Sequence, residues 1–494
     1  MRTMRRALRL AGTLGLCAVL GGLSTGCYVL LPSRGGGQLP PSQGRRINPE
    51  DVALPPGYRV EVVAVGLTFP TGVAFDDQGR PYVVEAGYAY GEAFTTPRLL
   101  RIEADGKVTP IAQGEHPPWN GVTFHGGAFF VAEGGEKGGG QILRITPDGQ
   151  VTTLVTNLPG LGDHHTNGPA VGPDGWVYFG QGTATNAGVV GPDNYEFGWL
   201  KRHPDFHDTP CQDITVRAVN LESENPLDPA KGKVRTGPYQ PFGTPATEGQ
   251  VVRGAVPCNG AVMRVQPTGG PVELVAWGFR NPYGLAFSPD GQLFITENGY
   301  DERGSRPVFG AADVLWEVKR GAWHGWPDYA EGRPVSDRRY SPPGGPQPQP
   351  LLAKEPNPPP QPVTYFGVHS SSNGFDFSRS ESFGYKGDAF VAQFGDLAPD
   401  VGKVVAPVGF KVVRVEVKSG AIHDFAINDA VRKGPASRVG DGGLERPIAA
   451  RFDPSGNALY VVDFGVMTLQ ETGPKGEPNT GVLWRITRAS GGDR

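Results

Sequence analysis

The 494-residue sequence contains 74 glycines and 49 prolines, and aromatic residues make up 10% of it. Such frequent glycine and proline interrupts long helices, whereas the aromatic content is enough for a hydrophobic core, so the composition favours an all-β fold. The formal net charge of −4 shows no basic excess, which excludes nucleic acid as a partner.

The first 26 residues are typical of a signal peptide. Four arginines precede an apolar run over residues 10–23, which is too short to span a bilayer comfortably. Gly26 stands directly before Cys27, and a small residue at that position is what a lipoprotein peptidase requires. We therefore predict export to the cell envelope and lipidation of Cys27, with plain secretion after cleavage nearby as the alternative.

The chain after Cys27 divides into a tether and one large domain. Residues 27–50 are polar and rich in Gly and Pro, which predicts a flexible tether, and residues 51–494 form the predicted domain. The lipid would be its only attachment to a membrane, on the periplasmic or extracellular face. In that oxidising compartment Cys211 and Cys258 are the remaining pair, so a disulfide is expected between them.

A unit of a small residue, an apolar strand, a turn and a second strand rich in Tyr, Phe and Val recurs six times. The copies begin at Gly72, Gly121, Gly168, Gly284, Gly374 and Ala449. A third strand follows each pair, and most copies turn into a fourth. Four short antiparallel strands make one propeller blade, so the repeats predict a six-bladed β-propeller. Seven blades or an irregular β-sandwich are the alternatives.

Two features of the repeats predict how the ring is built. The last copy ends after its third strand, and residues 58–65 supply an unassigned strand that could close the ring and remove both exposed edges. Successive copies start 49 and 47 residues apart, but Gly168 and Gly284 are 116 apart. A long insertion in blade three is therefore expected at about residues 187–257, and a Pro-rich excursion at 328–362.

The propeller geometry places polar residues on one face of the axial channel. These residues enter the first strand or leave the second strand of each blade, and polar convergence at a propeller mouth is the default site hypothesis. The alternative is that axial side chains only satisfy one another by hydrogen bonds. The candidates for binding a cofactor at this face include Trp119, Asn120 and Gln393.

Several segments resemble the glucose/sorbosone dehydrogenase family. They are residues 162–166 (Gly-Asp-His-His-Thr) with 172–178, the run 277–287 (Trp-Gly-Phe-Arg-Asn-Pro-Tyr-Gly-Leu-Ala-Phe), residues 296–299 (Thr-Glu-Asn-Gly) and 325–327 (Gly-Trp-Pro). Weaker similarity extends from about residue 54 to 488. The resemblance implies a sugar dehydrogenase that transfers hydride to pyrroloquinoline quinone (PQQ) bound with calcium, and a separate electron acceptor.

The same resemblance implies roles for individual residues. His164 would be the general base on the sugar hydroxyl, as suits an imidazole titrating near neutral pH. Arg280 would polarise the quinone oxygen and Asn281 would bind the cofactor. Arg446 would pair with a cofactor carboxylate. The main-chain oxygens of residues 299 and 300, which are Gly299 and Tyr300, would ligate calcium.

Two departures from the family pattern leave alternatives open. His165 follows His164 directly, so the base could be either. The blade-five lysine that contacts the quinone in the family has no match in residues 391–396. One alternative is therefore a non-catalytic envelope propeller that binds a glycan or a protein. Another is a calcium-dependent lactonase or hydrolase using a carboxylate ring of Glu85, Glu133, Glu297 and Asp463.

Overall fold

The computed structural model describes residues 45–90, 93–135, 138–397, 404, 406–431, 433–470 and 473–489. The chain forms the predicted six-bladed propeller, in which each blade is an antiparallel sheet. The strands of blades one to three, from the axis outward, are Pro70–Phe75, Pro81–Glu85, Arg98–Ile102 and Val108–Gln113; Trp119–His125, Ala128–Glu133, Gly140–Ile145 and Val151–Leu158; and Thr166–Val171, Val177–Gln181, Ala261–Val265 and Glu273–Trp277.

Blades four to six repeat this order. Their strands are Pro282–Phe287, Leu293–Glu297, Ala312–Glu317 and Thr364–Val368; Ser372–Phe377, Ala389–Gln393, Lys411–Glu416 and Ala421–Asn428; and Pro447–Phe452, Ala458–Asp463, Gly481–Arg488 and Tyr58–Leu67. Apolar side chains on facing sheets fill the space between neighbouring blades, so the core is a set of separate apolar clusters around the axis.

The N-terminal strand closes the ring as the sequence predicted. Tyr58–Leu67 pairs antiparallel with Gly481–Arg488 and becomes the outer strand of blade six. Pairing the first strand with the last covers both edges that an open ring would expose. A short strand, Val52–Ala53, adds a fifth strand to blade five by pairing with Ala421–Asn428.

Residues 45–50 belong to the folded domain and not to the predicted tether. The buried Arg45 side chain forms an ion pair with Asp463 and donates a hydrogen bond to the main-chain oxygen of Thr480 at 2.6 Å. A short 3-10 helix, Pro49–Asp51, follows. The predicted boundary at residue 50 is thus at least six residues too late, and the signal peptide and Cys27 lie outside the described residues.

The insertion in blade three lies between its second and third strands, as expected. It contains two one-turn helices, Pro192–Glu196 and Trp199–Arg202, the 3-10 turn Pro229–Lys231, and two hairpins that pair Ile214–Val216 with Gln250–Val252 and Leu221–Glu224 with Lys233–Thr236. The predicted disulfide between Cys211 and Cys258 is confirmed, with a sequence separation of 47.

The Pro-rich excursion lies between the third and fourth strands of blade four. It contains the hairpin of Tyr329–Ala330 with Arg333–Pro334 and the 3-10 turn Arg338–Tyr340. Its start is held by the buried ion pair of Arg306 with Asp328, at 3.0 Å. Short hairpins also extend blade one, at Tyr88–Ala89 and Ala93–Phe94, and blade six, at Met467–Gln470 and Gly473–Gly476, and a one-turn helix spans Ala436–Val439. None of the described helices is long and apolar enough to cross a membrane.

A β-bulge recurs where the inner strand of every blade begins. In all six blades the pairing of the first and second strands shifts register at this point. Such a shift re-aims side chains, and here it turns the residue before each repeat's small residue toward the axis. The small residue allows close approach: a Cβ on Gly121 would lie 2.1 Å from the carbonyl oxygen of Gly168.

Candidate active site

A cavity opens on the axis at the face where the first strands begin. It holds about 1060 Å³ of space between protein atoms, part of it open to solvent. All six residues that the bulges turn toward the axis line it, and they are Thr71, Asn120, Asn167, Tyr283, Asn373 and Ile448. The channel face predicted from the repeats is therefore the face that carries the cavity.

Amide side chains form a hydrogen-bonded row around half of this cavity. Asn120 donates to the side chain of Asn167 at 3.3 Å, Asn167 to Asn281 at 2.9 Å, and Asn281 to Asn298 at 2.8 Å. Asn298 then donates to the main-chain oxygen of the next blade's Ser372 at 3.1 Å. Because each amide is both donor and acceptor, the row fixes the orientation of every member.

His164 lies on the cavity wall as a neutral imidazole. Its Nδ1 donates a hydrogen bond to the carbonyl oxygen of Thr183 at 3.0 Å, which fixes the tautomer and leaves the lone pair on Nε2. Burial, and then the positive charges of Arg280 and Arg303, hold the pKa of His164 well below its usual range. The ring is therefore held in its neutral form, with a lone pair on Nε2 that can accept a hydrogen bond from a ligand in the cavity.

Arg280 is fixed beside His164 by contacts on three sides. Its guanidinium pairs with Asp301 at 2.6 Å and donates to the Asn186 side chain at 2.8 Å and to the main-chain oxygen of Gly299 at 2.6 Å. Burial raises the pKa of Asp301, but Arg280 and Arg303 outweigh it and the net shift is downward. The site thus keeps a buried, ionised pair at the cavity edge.

Arg303 connects this pair to two other segments. Its guanidinium lies 2.9 Å from Asp163, 2.6 Å from Asp193 in the insertion, and 3.1 Å from Asp301. Burial raises the pKa of Asp163 to about 6 against the pull of Arg303. One side chain therefore joins the residue before His164, the partner of Arg280, and the insertion.

A histidine in contact with a carboxylate lies on the connection into blade five. The His369 side chain lies on the cavity wall, and its Nε2 lies 2.9 Å from Glu302. Burial opposes the charge on the ring, but Glu302 outweighs it and raises the pKa of His369. Asp313, also on the wall, accepts from the amides of Gly299 at 2.9 Å and Ser372 at 2.7 Å.

Five of the predicted site residues line the cavity, namely Asn120, His164, Arg280, Asn281 and Gly299. The other four, Trp119, Tyr300, Gln393 and Arg446, do not line it. Trp119 is buried with its Nε1 donating to Glu133 at 2.9 Å, and Gln393 donates to Ser372 at 3.1 Å. Tyr300 lies behind the wall, where its hydroxyl donates to the main-chain oxygen of Tyr329 at 2.9 Å.

Arg446, the fourth of these, points into the blade. Its guanidinium lies between the rings of Phe394 and Phe410, at 4.9 and 5.0 Å, and contacts the main-chain oxygen of Asp396 at 3.2 Å. Burial lowers the pKa of Arg446 to about 10. These contacts do not bring Arg446 to the cavity wall, so the predicted contact with a cofactor carboxylate stays a prediction without support from this arrangement.

The carboxylates at the ends of the second strands accept hydrogen bonds that stabilise the fold. Glu85 accepts from the amide of Thr68 at 2.7 Å, Glu133 from Trp119, and Asp463 from the amide of Arg446 at 2.9 Å. Each therefore ties the connection into the first strand to the end of the second. These carboxylates and Glu297 do not line the cavity, so they do not form the predicted ring around a metal.

No sequence pattern indicated that Asp163, Asp193 and Arg303 would contribute charges to the site. The available signal was the charged run of residues 301–303, which follows directly on the family-like segment at 296–299. A charged run beside a candidate site usually reads as a solvated turn. Here the insertion and neighbouring blades cover it, and its members become buried partners.

Comparisons with known proteins agree with this architecture. The sequence model of the Glucose / Sorbosone dehydrogenase family matches residues 246–401, which confirms the resemblance and supports an oxidoreductase. No curated protein matches the chain.

Three solved structures illustrate the likeness in fold. The holo form of the pyranose dehydrogenase PQQ domain from Coprinopsis cinerea is 16% identical, with a TM-score of 0.52, over 91% of this chain and 98% of that one. A calcium structure of the Trichoderma reesei Carbohydrate-Active Enzymes Family AA12 protein is 14% identical, with a TM-score of 0.53, over 91% and 100%. The apo-form of the soluble aldose sugar dehydrogenase from Escherichia coli is 15% identical, with a TM-score of 0.50, over 87% and 100%. At these identities the likeness establishes the propeller fold.

Proposed function

We propose, from the family resemblance and the site it falls on, that the protein is an oxidoreductase of a sugar or related alcohol or aldehyde. The observation that carries the proposal is the neutral imidazole of His164, with its Nε2 lone pair available, on the wall of a cavity edged by the fixed guanidinium of Arg280. Oxidation of an alcohol needs a base for the hydroxyl proton and an acceptor for the hydride that leaves the carbon, and a positive charge beside the acceptor stabilises the charge that it gains.

The side chains that line the cavity suit the polar, planar ring system of a quinone. The amides of Asn120, Asn167 and Asn281 offer oriented polar contacts, and the rings of Tyr283 and Phe394 also line the cavity. Bound pyrroloquinoline quinone would supply the acceptor for the hydride and its two electrons. We assign Arg280 to its quinone oxygen and the amide row to its polar edge.

We propose that another residue takes the place of the lysine expected from the family. Among the described residues that line the cavity none is a lysine, and residues 394–397 of blade five are Phe, Gly, Asp and Leu. His369, on the connection into the same blade, has a raised pKa and lines the cavity. We therefore propose His369 as the blade-five cation that faces the cofactor.

Calcium does not fit at the carbonyl oxygens of residues 299 and 300. The Gly299 oxygen accepts a hydrogen bond from Arg280 at 2.6 Å, and a divalent cation there would be repelled by the guanidinium. Across the described parts of the chain, no group of three or more histidine, cysteine or carboxylate side chains is arranged to hold a metal ion. We therefore assign calcium no role in the proposed reaction.

The chain's own residues divide the work between them. His164 Nε2 would take the hydroxyl proton, and its Nδ1–H bond to Thr183 would stabilise the charged ring as it forms. The Arg280 guanidinium would stabilise negative charge developing beside it, and Asp301 and Asn186 hold it in position before the reaction begins.

The test is reconstitution of the protein lacking residues 1–26 with pyrroloquinoline quinone, followed by dye-linked oxidation of an aldose panel. We expect quinone-dependent turnover that is lost in His164→Gln and Arg280→Gln but kept in Arg253→Gln, an exposed arginine of the insertion. Adding and chelating calcium shows whether the ion is needed. Turnover that survives His164→Gln would contradict the assignment of the base.

A non-catalytic propeller is the second candidate function. The packing of Arg446 against Phe394 and the main chain of Asp396 favours it, because the carboxylates of the quinone would then have one cationic partner fewer than the family resemblance implies. Such a protein would bind a glycan or a protein partner on the same face. The two functions separate cleanly in an equilibrium titration with the quinone: the dehydrogenase binds it, and the recognition module does not.

We further propose that the protein is exported and held in the cell envelope by lipid on Cys27, and that it passes electrons to a separate acceptor. The support is the N-terminal pattern of residues 1–27. Metabolic labelling with palmitate should mark the intact protein and fail to mark Cys27→Ser. Equal labelling of both would contradict the anchor.

A further inference from the structure

A second, larger groove continues outward from the axial cavity. The two share wall residues on both sides of the base, including Tyr88, Asp163, His165 and Asp301. The groove holds about 2120 Å³ of space, part of it open to solvent. The part that water-sized groups could occupy is about 850 Å³, within the roughly 300–1,000 Å³ usual for a small-molecule site, against about 160 Å³ in the axial cavity. Most of the room for a ligand therefore lies outward of His164.

Three separate additions to the ring build this groove. The blade-one hairpin contributes Tyr90, the insertion contributes Phe197 and Glu222, and the blade-six hairpin contributes Pro474. None of these segments is needed to close a propeller. Long additions to a rigid scaffold that converge on one site usually shape its ligand.

Two partly exposed aromatic side chains line the groove. Tyr90 is 47% exposed and Phe197 is 42% exposed, although each carries a large apolar surface. Tyr88 and Trp199 extend the aromatic wall inward toward His165. Aromatic rings left open in a polar groove offer flat apolar faces to a ligand that is itself partly apolar and partly hydroxylated.

The charges of the groove narrow the chemistry of that ligand. Five of its described wall residues are carboxylates, namely Asp163, Asp193, Glu196, Glu222 and Asp301. The one guanidinium among these wall residues belongs to Arg303, which already pairs with three of the carboxylates. Ionised carboxylates accept hydrogen bonds from hydroxyl groups and repel anions. The groove therefore fits a neutral polyhydroxylated ligand and disfavours an acidic one.

We propose that this groove is a saccharide-binding subsite and that the substrate is a neutral oligosaccharide whose terminal unit reaches His164. The proposal rests on the proposed function for the reacting end. It assigns Tyr90 to the junction between the axial cavity and the groove, and Phe197 as a ring that contacts the sugar units following the terminal one.

The test measures binding without the cofactor, so that it stands apart from turnover. The protein is titrated with glucose, maltose, maltotriose and maltopentaose, and with the β-1,4-linked series of the same lengths, by calorimetry and by the fluorescence of Trp199 and the other tryptophans. We expect affinity to rise by about tenfold from one unit to three in one linkage series. Trigalacturonic acid, as an acidic control, should bind at least tenfold more weakly.

Single substitutions test which aromatic side chains cause the rise in affinity with saccharide length. Phe197→Ala should lower the affinity for the trisaccharide by about fivefold, as expected for one aromatic contact, and leave glucose binding unchanged. Tyr90→Ala should lower the affinity for both glucose and the trisaccharide, because Tyr90 lines the axial cavity as well as the groove. The matched control is Tyr365→Ala, because Tyr365 is 41% exposed on the outer strand of blade four and lies outside the groove.

Two results would overturn the proposal. One is an affinity that does not rise with length in either series. The other is a rise that Phe197→Ala leaves intact. A protein that binds the longer saccharides as expected but oxidises none of them with quinone supplied would instead overturn the dehydrogenase and leave the groove as a glycan site.

Discussion

Replacement of Arg303 by glutamine should destabilise the protein strongly, because it removes the guanidinium shared by three carboxylates. The Arg303 side chain is 16% exposed, and its partners Asp163, Asp193 and Asp301 are more deeply buried. Loss of one partner of a buried ion pair costs about 3–5 kcal/mol. Asp301 keeps Arg280, so we expect about 3 kcal/mol, or roughly a hundredfold change in the folded-to-unfolded ratio.

The loss should depend on pH in a defined direction. The pKa of Asp163 is raised to about 6 by burial while Arg303 lowers it, so removing Arg303 raises it further. A carboxyl whose folded pKa is raised stabilises the folded state as pH falls. The gap between Arg303→Gln and the parent protein should therefore be larger at pH 8 than at pH 5.

Urea denaturation at both pH values measures the effect, with Arg253→Gln as the matched control. Arg253 pairs with Asp213 in the same insertion but is 83% exposed, and such pairs contribute about 1 kcal/mol or less. A loss below 1 kcal/mol for Arg303→Gln, or a loss equal at pH 5 and pH 8, would refute the reasoning.

The other predictions concern the base, the insertion and the N-terminal segment. His164→Gln should lower turnover by about 10²–10⁴-fold and leave quinone binding intact, and His165→Gln should not, as steady-state kinetics would show. Because the pKa of His164 is lowered, the acidic limb of the pH profile of kcat/KM should fall below pH 6.5; a limb above pH 7 would contradict the neutral base. Replacing Cys211 and Cys258 together by serine should cost about 4 kcal/mol from the 47-residue separation and make the insertion sensitive to protease before the blades unfold. Arg45→Ala should cost about 3 kcal/mol in urea denaturation, because it leaves Asp463 buried without that partner; a neutral effect would assign residues 45–50 to the tether after all.

The ring itself could be predicted from the sequence because it depends on local patterns. The small residue before each inner strand and the turn after it recur six times, and the missing fourth strand of the last copy pointed to Tyr58–Leu67. The disulfide followed from counting cysteines in an oxidising compartment. These signals survive because each comes from neighbours in sequence.

The direction of individual side chains could not be predicted in the same way. Simple strand alternation does not predict a bulge, yet the bulges decide that Asn120 faces the cavity while Trp119 packs inside the blade. Arg446 was assigned to the channel from its position in the repeat, but the rings of Phe394 and Phe410 hold it inside. Such contacts join residues far apart in sequence.

The charge network was beyond sequence reasoning for the same reason. Asp163, Asp193 and Arg303 come from three segments up to 140 residues apart, and only the packing of the insertion on the ring brings them together. Of the three, Arg303 contributes to the lowered pKa of His164, after burial and Arg280. Residue types alone therefore identified the base but not the groups that set its charge.

The most direct test of the central claim is a single-turnover measurement on the protein loaded with pyrroloquinoline quinone. Without a dye or oxygen, a neutral saccharide is added and the absorbance of the bound quinone is followed. We predict reduction of one quinone per protein molecule, which becomes at least a hundredfold slower in His164→Gln although that variant binds the quinone equally well. A protein that does not bind the quinone, or a bound quinone that no sugar reduces, would contradict the dehydrogenase.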